Sequence, residues 1–94
     1  MIRHIVFTKF ETPSEHVPQA CKMLSALPAV IPEIVSLETG ADVLHSERSY
    51  DMALCVTFRS LDDLHTYDGH PAHVKVREFI RAHRTASATV DYEF

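Results

Sequence analysis

The chain has 94 residues, of which 46% are hydrophobic and 23% charged, and its formal net charge is −4 at neutral pH. Such a short chain cannot bury two separate cores, so we predict a single folded domain. The acidic balance and the absence of a Lys or Arg run exclude the phosphate-neutralising surface that nucleic-acid binding needs. No apolar stretch approaches the roughly 20 residues that span a bilayer. We therefore expect a cytoplasmic protein with neither nucleic acid nor a membrane as a partner.

The first part of the chain is predicted to fold as strand, helix, strand and strand. Apolar residues occupy both faces of the first segment, which is typical of a central strand. Ser14 is a suitable N-cap for the helix that follows, although Pro18 near its first turn leaves the start open. The predicted elements are a strand over residues 2–10, a helix over 14–27, a strand over 34–40 and a strand over 50–58.

The second part is predicted to contain two helices and a final strand. Ser60 and Asp63 resemble a capping box that opens a short helix. Gly69 is expected to end that helix in a left-handed conformation, and Pro71 to open the next one. Strict alternation at the end of the chain indicates a strand. These elements are predicted over residues 61–69, 71–84 and 88–94.

The order of the elements predicts an α+β fold of the ferredoxin-like type, β-α-β-β-α-α-β. In that fold a four-stranded antiparallel sheet has its helices on one face. Apolar side chains also occupy the other face of the sheet, namely Ile5, Phe7, Val90, Tyr92 and Phe94. Because these side chains would form a large exposed apolar patch, we predict that two copies pair through their sheets as a homodimer.

The segment from Tyr67 to His73 concentrates groups that exchange protons near neutral pH. His70 and His73 are three residues apart and therefore lie on one helix face, in a first turn where the helix dipole disfavours imidazolium. We predict that neutral His73 acts as a general base and that Tyr67 donates a hydrogen bond to a substrate carbonyl. His70 is predicted to contact the substrate, with a simple helix cap as the alternative.

Residues on the strands complete the predicted catalytic set. His4 lies on the first strand, on the same face as Val6, and Asp91 on the last strand is predicted to orient one of the imidazoles. The alternative for His4 is a hydrogen-bonded core histidine, and for Asp91 a solvated position. Apolar contacts with the substrate are predicted for Val6, Leu54 and Val56.

Two further uses of these residues stay open. His70 and His73 have a spacing that suits a metal, with a third ligand from His4, Asp68 or His65, but this spacing alone is weak support for a metal. We predict neither a metal nor a cofactor. The corner histidines are alternatively structural, in a protein whose function is to form a non-catalytic dimer. His16, His45 and His83 are predicted at the surface.

The chain resembles the stress-responsive A/B barrel family, or Dabb domain, of the dimeric α/β barrel superfamily. Five segments carry the resemblance: residues 1–6 with His4, the connection over 27–34, residues 49–51, the His70-Pro71-Ala72-His73 turn and residues 90–92. The resemblance covers essentially the whole chain. It implies a ferredoxin-like protomer, a homodimer with facing sheets, and a cavity between sheet and helices near the turn.

The resemblance also implies a chemistry. One plant member of the family is a cofactor-free polyketide cyclase whose catalytic Tyr and His match Tyr67 and His73, and its strand His matches His4. The pocket-lining residues do not match closely, so the plant substrate is not carried over. Oxygenases of the wider superfamily tend to rely on Asn or Trp, and this chain contains neither. We therefore predict a homodimer that acts on a small hydrophobic carbonyl compound as a cyclase, isomerase or lyase.

Overall fold

Four strands and three α-helices follow one another in the predicted order. The computed structural model describes residues 1–94. Its elements are β1 (Ile2–Phe10), α1 (Pro13–Ser25), a 3-10 turn (Leu27–Ala29), β2 (Ser36–Ala41), β3 (Met52–Phe58), α2 (Leu61–Gly69), α3 (Pro71–His83) and β4 (Arg84–Glu93). None of the helices combines the length and the apolar character required to cross a membrane.

The strands form one antiparallel sheet in the order β2-β3-β1-β4. β1 and β3 are therefore the central strands, as the two apolar faces of β1 predict. This arrangement is the ferredoxin-like α+β protomer expected from the sequence. In β1 the even-numbered residues face the helices, and this places His4 on the covered side of the sheet, with Asp91 of β4 directly opposite it.

The hydrophobic core lies between the helices and one face of the sheet. Val17, Ala20 and Leu24 recur at helical spacing along α1 and are almost completely buried. Met52, Leu54, Val56 and Phe58 alternate along β3 and cover the sheet side of the same core. Burial of these side chains on a single face fixes the register of the central strands, because a shift by one residue would turn them all outward.

The opposite face of the sheet carries large apolar side chains that this protomer leaves exposed. The exposed fractions are 44% for Phe7, 60% for Val90, 40% for Tyr92 and 54% for Phe94. The guanidinium of Arg3 lies over the Phe94 ring, 4.0 Å from its centroid. We refer to these four aromatic and aliphatic residues as the outer patch. Its position agrees with the apolar second face predicted from the alternation of β1 and β4.

Several predicted boundaries were wrong for local reasons. α1 begins at Pro13 with Thr12 at its N-cap, because proline is favoured at the first helical position. Gly69 does not adopt a left-handed conformation; the break falls instead at His70, which has φ −66° and ψ 135°. The cause is Pro71, which excludes the helical conformation for the residue before it.

The strands also differ from their predicted extents. β4 begins at Arg84 instead of residue 88, because its pairing with β1 extends past a register shift at Lys9 and Phe10, beyond which Arg84 pairs with Phe10. β2 begins two residues later than predicted, at Ser36, because its pairing with β3 starts there, opposite Thr57. Ile34 precedes the strand and contributes its side chain to the core. His16 is buried rather than exposed, and its ring stacks on that of His83 with centroids 4.1 Å apart.

Candidate active site

The break between α2 and α3 positions the two side chains that the sequence places at the functional corner. The Ser60 hydroxyl accepts a hydrogen bond from the Asp63 amide and so fixes the start of α2. His70 ends α2 and caps α3, because its Nδ1 accepts a hydrogen bond from the Ala72 amide at 3.1 Å. The break brings Tyr67, in the last turn of α2, against His73, in the first turn of α3. Their ring centroids are 4.1 Å apart.

The carbonyl of Asp68 holds His73 in place. Because the helix stops at Gly69, the last carbonyls of α2 have no partner further along the same helix. His73 Nδ1 donates to the Asp68 carbonyl at 3.1 Å, and the Arg77 guanidinium donates to the same oxygen at 3.1 Å. This contact fixes the tautomer of His73, so that its Nε2 carries the lone pair and has no hydrogen-bond partner in the chain.

Burial favours the neutral form of both rings at the corner. It lowers the pKa of His73, while the hydrogen bond to the Asp68 carbonyl and the charge of the Asp68 carboxylate act in the opposite direction, and the proximity of Arg77 and His4 again lowers the pKa. The predicted neutral imidazole is therefore favoured, with burial as the main cause rather than the helix dipole. Burial likewise raises the pKa of Tyr67 well above its usual range, and the Asp68 carboxylate adds to the shift.

The hydroxyl of Tyr67 is a buried donor without an acceptor. The residue is 1% exposed, and no group of the chain accepts a hydrogen bond from its oxygen. Its ring packs on Phe58 with centroids 5.0 Å apart and on the edge of His4 with centroids 6.2 Å apart. Because burial keeps the phenol protonated, its O–H remains a hydrogen-bond donor, enclosed beside the ring of His73.

His4 and Asp91 form a second titratable pair on the sheet. They lie directly opposite each other on β1 and β4, and His4 Nδ1 donates to Asp91 Oδ1 at 2.5 Å. The His4 side chain is 18% exposed and that of Asp91 is 40% exposed. The carboxylate fixes the ring so that Nε2 is the nitrogen free to exchange a proton.

A cavity of about 170 Å³ lies between the sheet and the helices and is lined by both histidines. Its walls combine apolar residues, hydroxyl groups and charged groups. The lining residues are His4, Val6, Thr8, Leu24, Met52, Leu54, Asp68, His73, Arg77, Ile80, Arg84, Ser87 and Thr89. Two imidazoles with unpaired nitrogens at one small cavity can remove a proton from a bound molecule and return it elsewhere.

Six of the predicted site residues lie at the cavity or contact a residue that lines it. His4, Val6, Leu54 and His73 line the cavity. Tyr67 and Asp91 do not line it, but each contacts a histidine that does.

Two predicted residues lie away from the cavity. Val56 is fully buried in the core, and His70 caps α3. Neither of them lines the cavity, and we do not carry them into the proposed site.

The predicted alternative of a metal site lacks a full set of ligands. No three His, Cys, Asp or Glu side chains are grouped where they could hold one metal ion. His70 Nδ1 and His73 Nδ1 are each used in a hydrogen bond to the backbone. The spacing of the two histidines therefore reflects the helix break, since one caps α3 and the other closes α2.

Six polar residues of the cavity lining were absent from the predicted catalytic and substrate-binding set, namely Thr8, Asp68, Arg77, Arg84, Ser87 and Thr89. Arg77 is four residues after His73 on α3, so helical spacing was a sufficient signal for it. Thr89 is opposite Val6 and becomes apparent only once the pairing of β1 with β4 is known. Arg84 carried no signal, because the sequence placed it at the end of a helix and not at the start of β4.

Comparison with known proteins identifies the family. The sequence matches the family model of the stress responsive A/B barrel domain, Dabb, over residues 2–94. The chain belongs to the Dabb family. The family predicted from the His70–His73 turn and the strand residues is thereby confirmed. No curated protein sequence matches this Dabb protein at a significant level.

Solved structures similar to this Dabb protein agree on its fold. A dimeric protein of unknown function with a ferredoxin-like fold from Bacteroides fragilis has 32% sequence identity and a TM-score of 0.89, with 99% of this chain and 95% of that chain covered. A dimeric ferredoxin-like protein from Thermobifida fusca has 30% identity and a TM-score of 0.87, with coverage of 99% and 90%. A hydroxynitrile lyase from Passiflora edulis, at 18% identity, has a TM-score of 0.83, with coverage of 97% and 90%.

Proposed function

We propose that this Dabb protein is a cofactor-independent acid–base catalyst that acts on a small carbonyl compound, as a cyclase, isomerase or lyase. The observation that carries the proposal is the convergence of His4 and His73 on one cavity, each with an unpaired Nε2. The buried Tyr67 hydroxyl, in contact with the His73 ring, lacks an acceptor. A carbonyl oxygen is the acceptor that this donor needs.

The proposed step is removal of a proton from carbon next to the substrate carbonyl. His73 Nε2 takes the proton as the C–H bond breaks, and the electron pair moves onto the carbonyl oxygen as an enolate. Tyr67 donates a hydrogen bond to that oxygen, where negative charge develops. His4, with Nδ1 held by Asp91, acts in this step as an imidazolium and gives the proton on its Nε2 to the intermediate at a second position, or to a leaving group. Solvent then takes the proton from His73 and returns one to His4.

The hydrogen bond of His73 to the backbone is compatible with this role. It occupies only Nδ1 and orients the ring, as the carboxylate does for a histidine in a catalytic triad. The cavity is also open and not filled by side chains of the helices. A filled cavity would have favoured the alternative in which the corner histidines are only structural. The hydroxynitrile lyase from Passiflora edulis is an enzyme with the same fold and adds support for lyase-type chemistry.

We also propose that the protein is a homodimer whose protomers pack through the outer patch. An apolar surface of this kind on a small domain is stabilised when a second copy covers it. The related proteins from Bacteroides fragilis and Thermobifida fusca are dimeric.

Exchange of carbon-bound hydrogen in heavy water tests the proposal without knowledge of the full reaction. A panel of small β-diketones, β-keto esters and simple ketones is incubated with the protein in D₂O, and loss of the α-proton signal is followed by NMR. We expect exchange above the buffer rate for at least one compound. His73→Gln is expected to lower the catalysed rate by about 10² to 10⁴, the usual contribution of a general base.

The matched control is His65→Gln, because His65 is an exposed histidine on α2 that does not line the cavity. It should exchange at the rate of the unaltered protein. A dispersed NMR spectrum confirms that each variant is folded. Equal exchange rates for the His73→Gln variant and the unaltered protein would contradict the assignment of His73 as the base.

A further inference from the structure

The charged residues around the cavity are unevenly paired. Arg77 Nη1 donates to Asp68 Oδ1 at 3.2 Å, so these two charges compensate each other. Arg84 also lines the cavity, but its guanidinium donates only to the Ser87 hydroxyl, at 3.4 Å, and has no carboxylate within ion-pair distance. The cavity of an acidic chain therefore has one uncompensated positive charge in its lining.

The unpaired charge of Arg84 and the His4 ring lie at different ends of the cavity. Along β1 the cavity runs past His4, Val6 and Thr8, and Ser87 of β4 is opposite Thr8. Residues 4 and 8 of a strand are roughly 13 Å apart at their Cα atoms. Arg84, held by Ser87, therefore lies at one end of the cavity, and the His4–Asp91 pair lies at the other.

We propose that the substrate is a short keto acid, with its carboxylate bound by Arg84 and its carbonyl group beside His4 and His73. This inference rests on the proposed function for the carbonyl end and on the unpaired guanidinium for the acid end. Guanidinium groups bind carboxylates through paired hydrogen bonds. The volume limits the size, since a protein cavity of about 150 Å³ holds a benzene molecule. The volume of the cavity therefore matches a short keto acid.

Binding of levulinate (4-oxopentanoate) and of 2,5-hexanedione tests the acid end. The two compounds have the same number of non-hydrogen atoms and the same spacing between their carbonyl groups, but only levulinate carries a charge. We expect levulinate to bind the full-length protein about 10- to 100-fold more tightly in an NMR titration, the range given by a hydrogen bond to a charged group. Arg84→Gln should remove this preference and leave the binding of 2,5-hexanedione unchanged.

Arg81→Gln is the matched control, because Arg81 is an exposed arginine on α3 that does not line the cavity. It should retain the preference for levulinate. Three results would overturn the inference: equal affinity for the two compounds, unchanged levulinate binding in the Arg84→Gln variant, or no levulinate binding by the unaltered protein.

Proton exchange, measured on the same samples, separates this inference from the proposed function. Exchange that depends on His73 but shows no preference for the charged compound supports the function and overturns the keto-acid inference. Levulinate binding that depends on Arg84, without exchange of either compound, supports the anion site and contradicts the catalytic proposal.

Discussion

At the scale of single residues, the protein keeps polar groups where stability alone would not place them. A buried hydroxyl without a hydrogen-bond partner costs about 1–3 kcal/mol, and Tyr67 has such a hydroxyl. The ring itself is well packed between Phe58 and His73, so phenylalanine would supply the same apolar contacts. Packing within the folded chain therefore does not account for the oxygen, and the proposed function assigns it to the hydrogen bond with a substrate carbonyl.

Tyr67→Phe should separate stability from function. Removal of the unpaired oxygen is expected to leave the free energy of unfolding unchanged or to raise it by about 1 kcal/mol. The rate of proton exchange should fall by about 10², as for the loss of one donor to a developing oxyanion. Chemical denaturation and exchange in D₂O measure the two effects.

Tyr50→Phe is the matched control, because it also removes a phenol oxygen but Tyr50 does not line this cavity. It should leave the exchange rate unchanged. A Tyr67→Phe variant that loses more than about 1 kcal/mol of stability and exchanges at the full rate would show that the oxygen has a structural role.

At the scale of elements, helix boundaries that nearby residues determine were predictable from the sequence. Strand boundaries that depend on pairing with a distant strand were not. Ser60 as a helix cap and Pro71 as a helix start follow from short-range rules, and both are confirmed. The left-handed Gly69 was wrong because Pro71 already moves the break to His70. The start of β4 at Arg84 depends on a partner strand that is distant in sequence.

The same distinction applies to the candidate site. His4 and His73 were identifiable because each is a titratable residue at a structurally distinctive position, and both line the cavity. The sequence predicted that Asp91 orients one of the imidazoles but did not identify His4 as its partner. The partner depends on the register between β1 and β4, which local sequence does not encode. Arg84 was missed for the same reason. Its place in the site depends on where the helix ends and β4 begins.

At the scale of the whole molecule, the two faces of the sheet differ in what they contact. One face, covered by the helices, contains the core and the cavity, and the other carries the outer patch. The alternation of apolar residues along β1 and β4 was sufficient to predict both faces, because side chains of a strand point alternately to its two sides. The proposed dimer covers the outer patch with a second copy of the chain.

Val90→Asp tests the proposed dimer. Val90 is 60% exposed at the outer patch, and a charge there would be buried without a partner on association. Sedimentation equilibrium should show a dimer for the unaltered protein and a shift to monomer for this variant. Val43→Asp, in a loop where Val43 is 89% exposed, should remain dimeric. A monomeric unaltered protein, or a dimeric Val90→Asp variant, would contradict the proposed interface.

The most direct test of the whole account is the protonation of His73, measured from the ¹⁵N chemical shifts of its ring across a pH titration. His73→Gln assigns the signals. Because burial lowers the pKa of this ring, we predict a neutral form that persists below about pH 6.5, with the proton on Nδ1 and a free Nε2. A midpoint at or above that value, or a proton on Nε2, would contradict the role of His73 as the base.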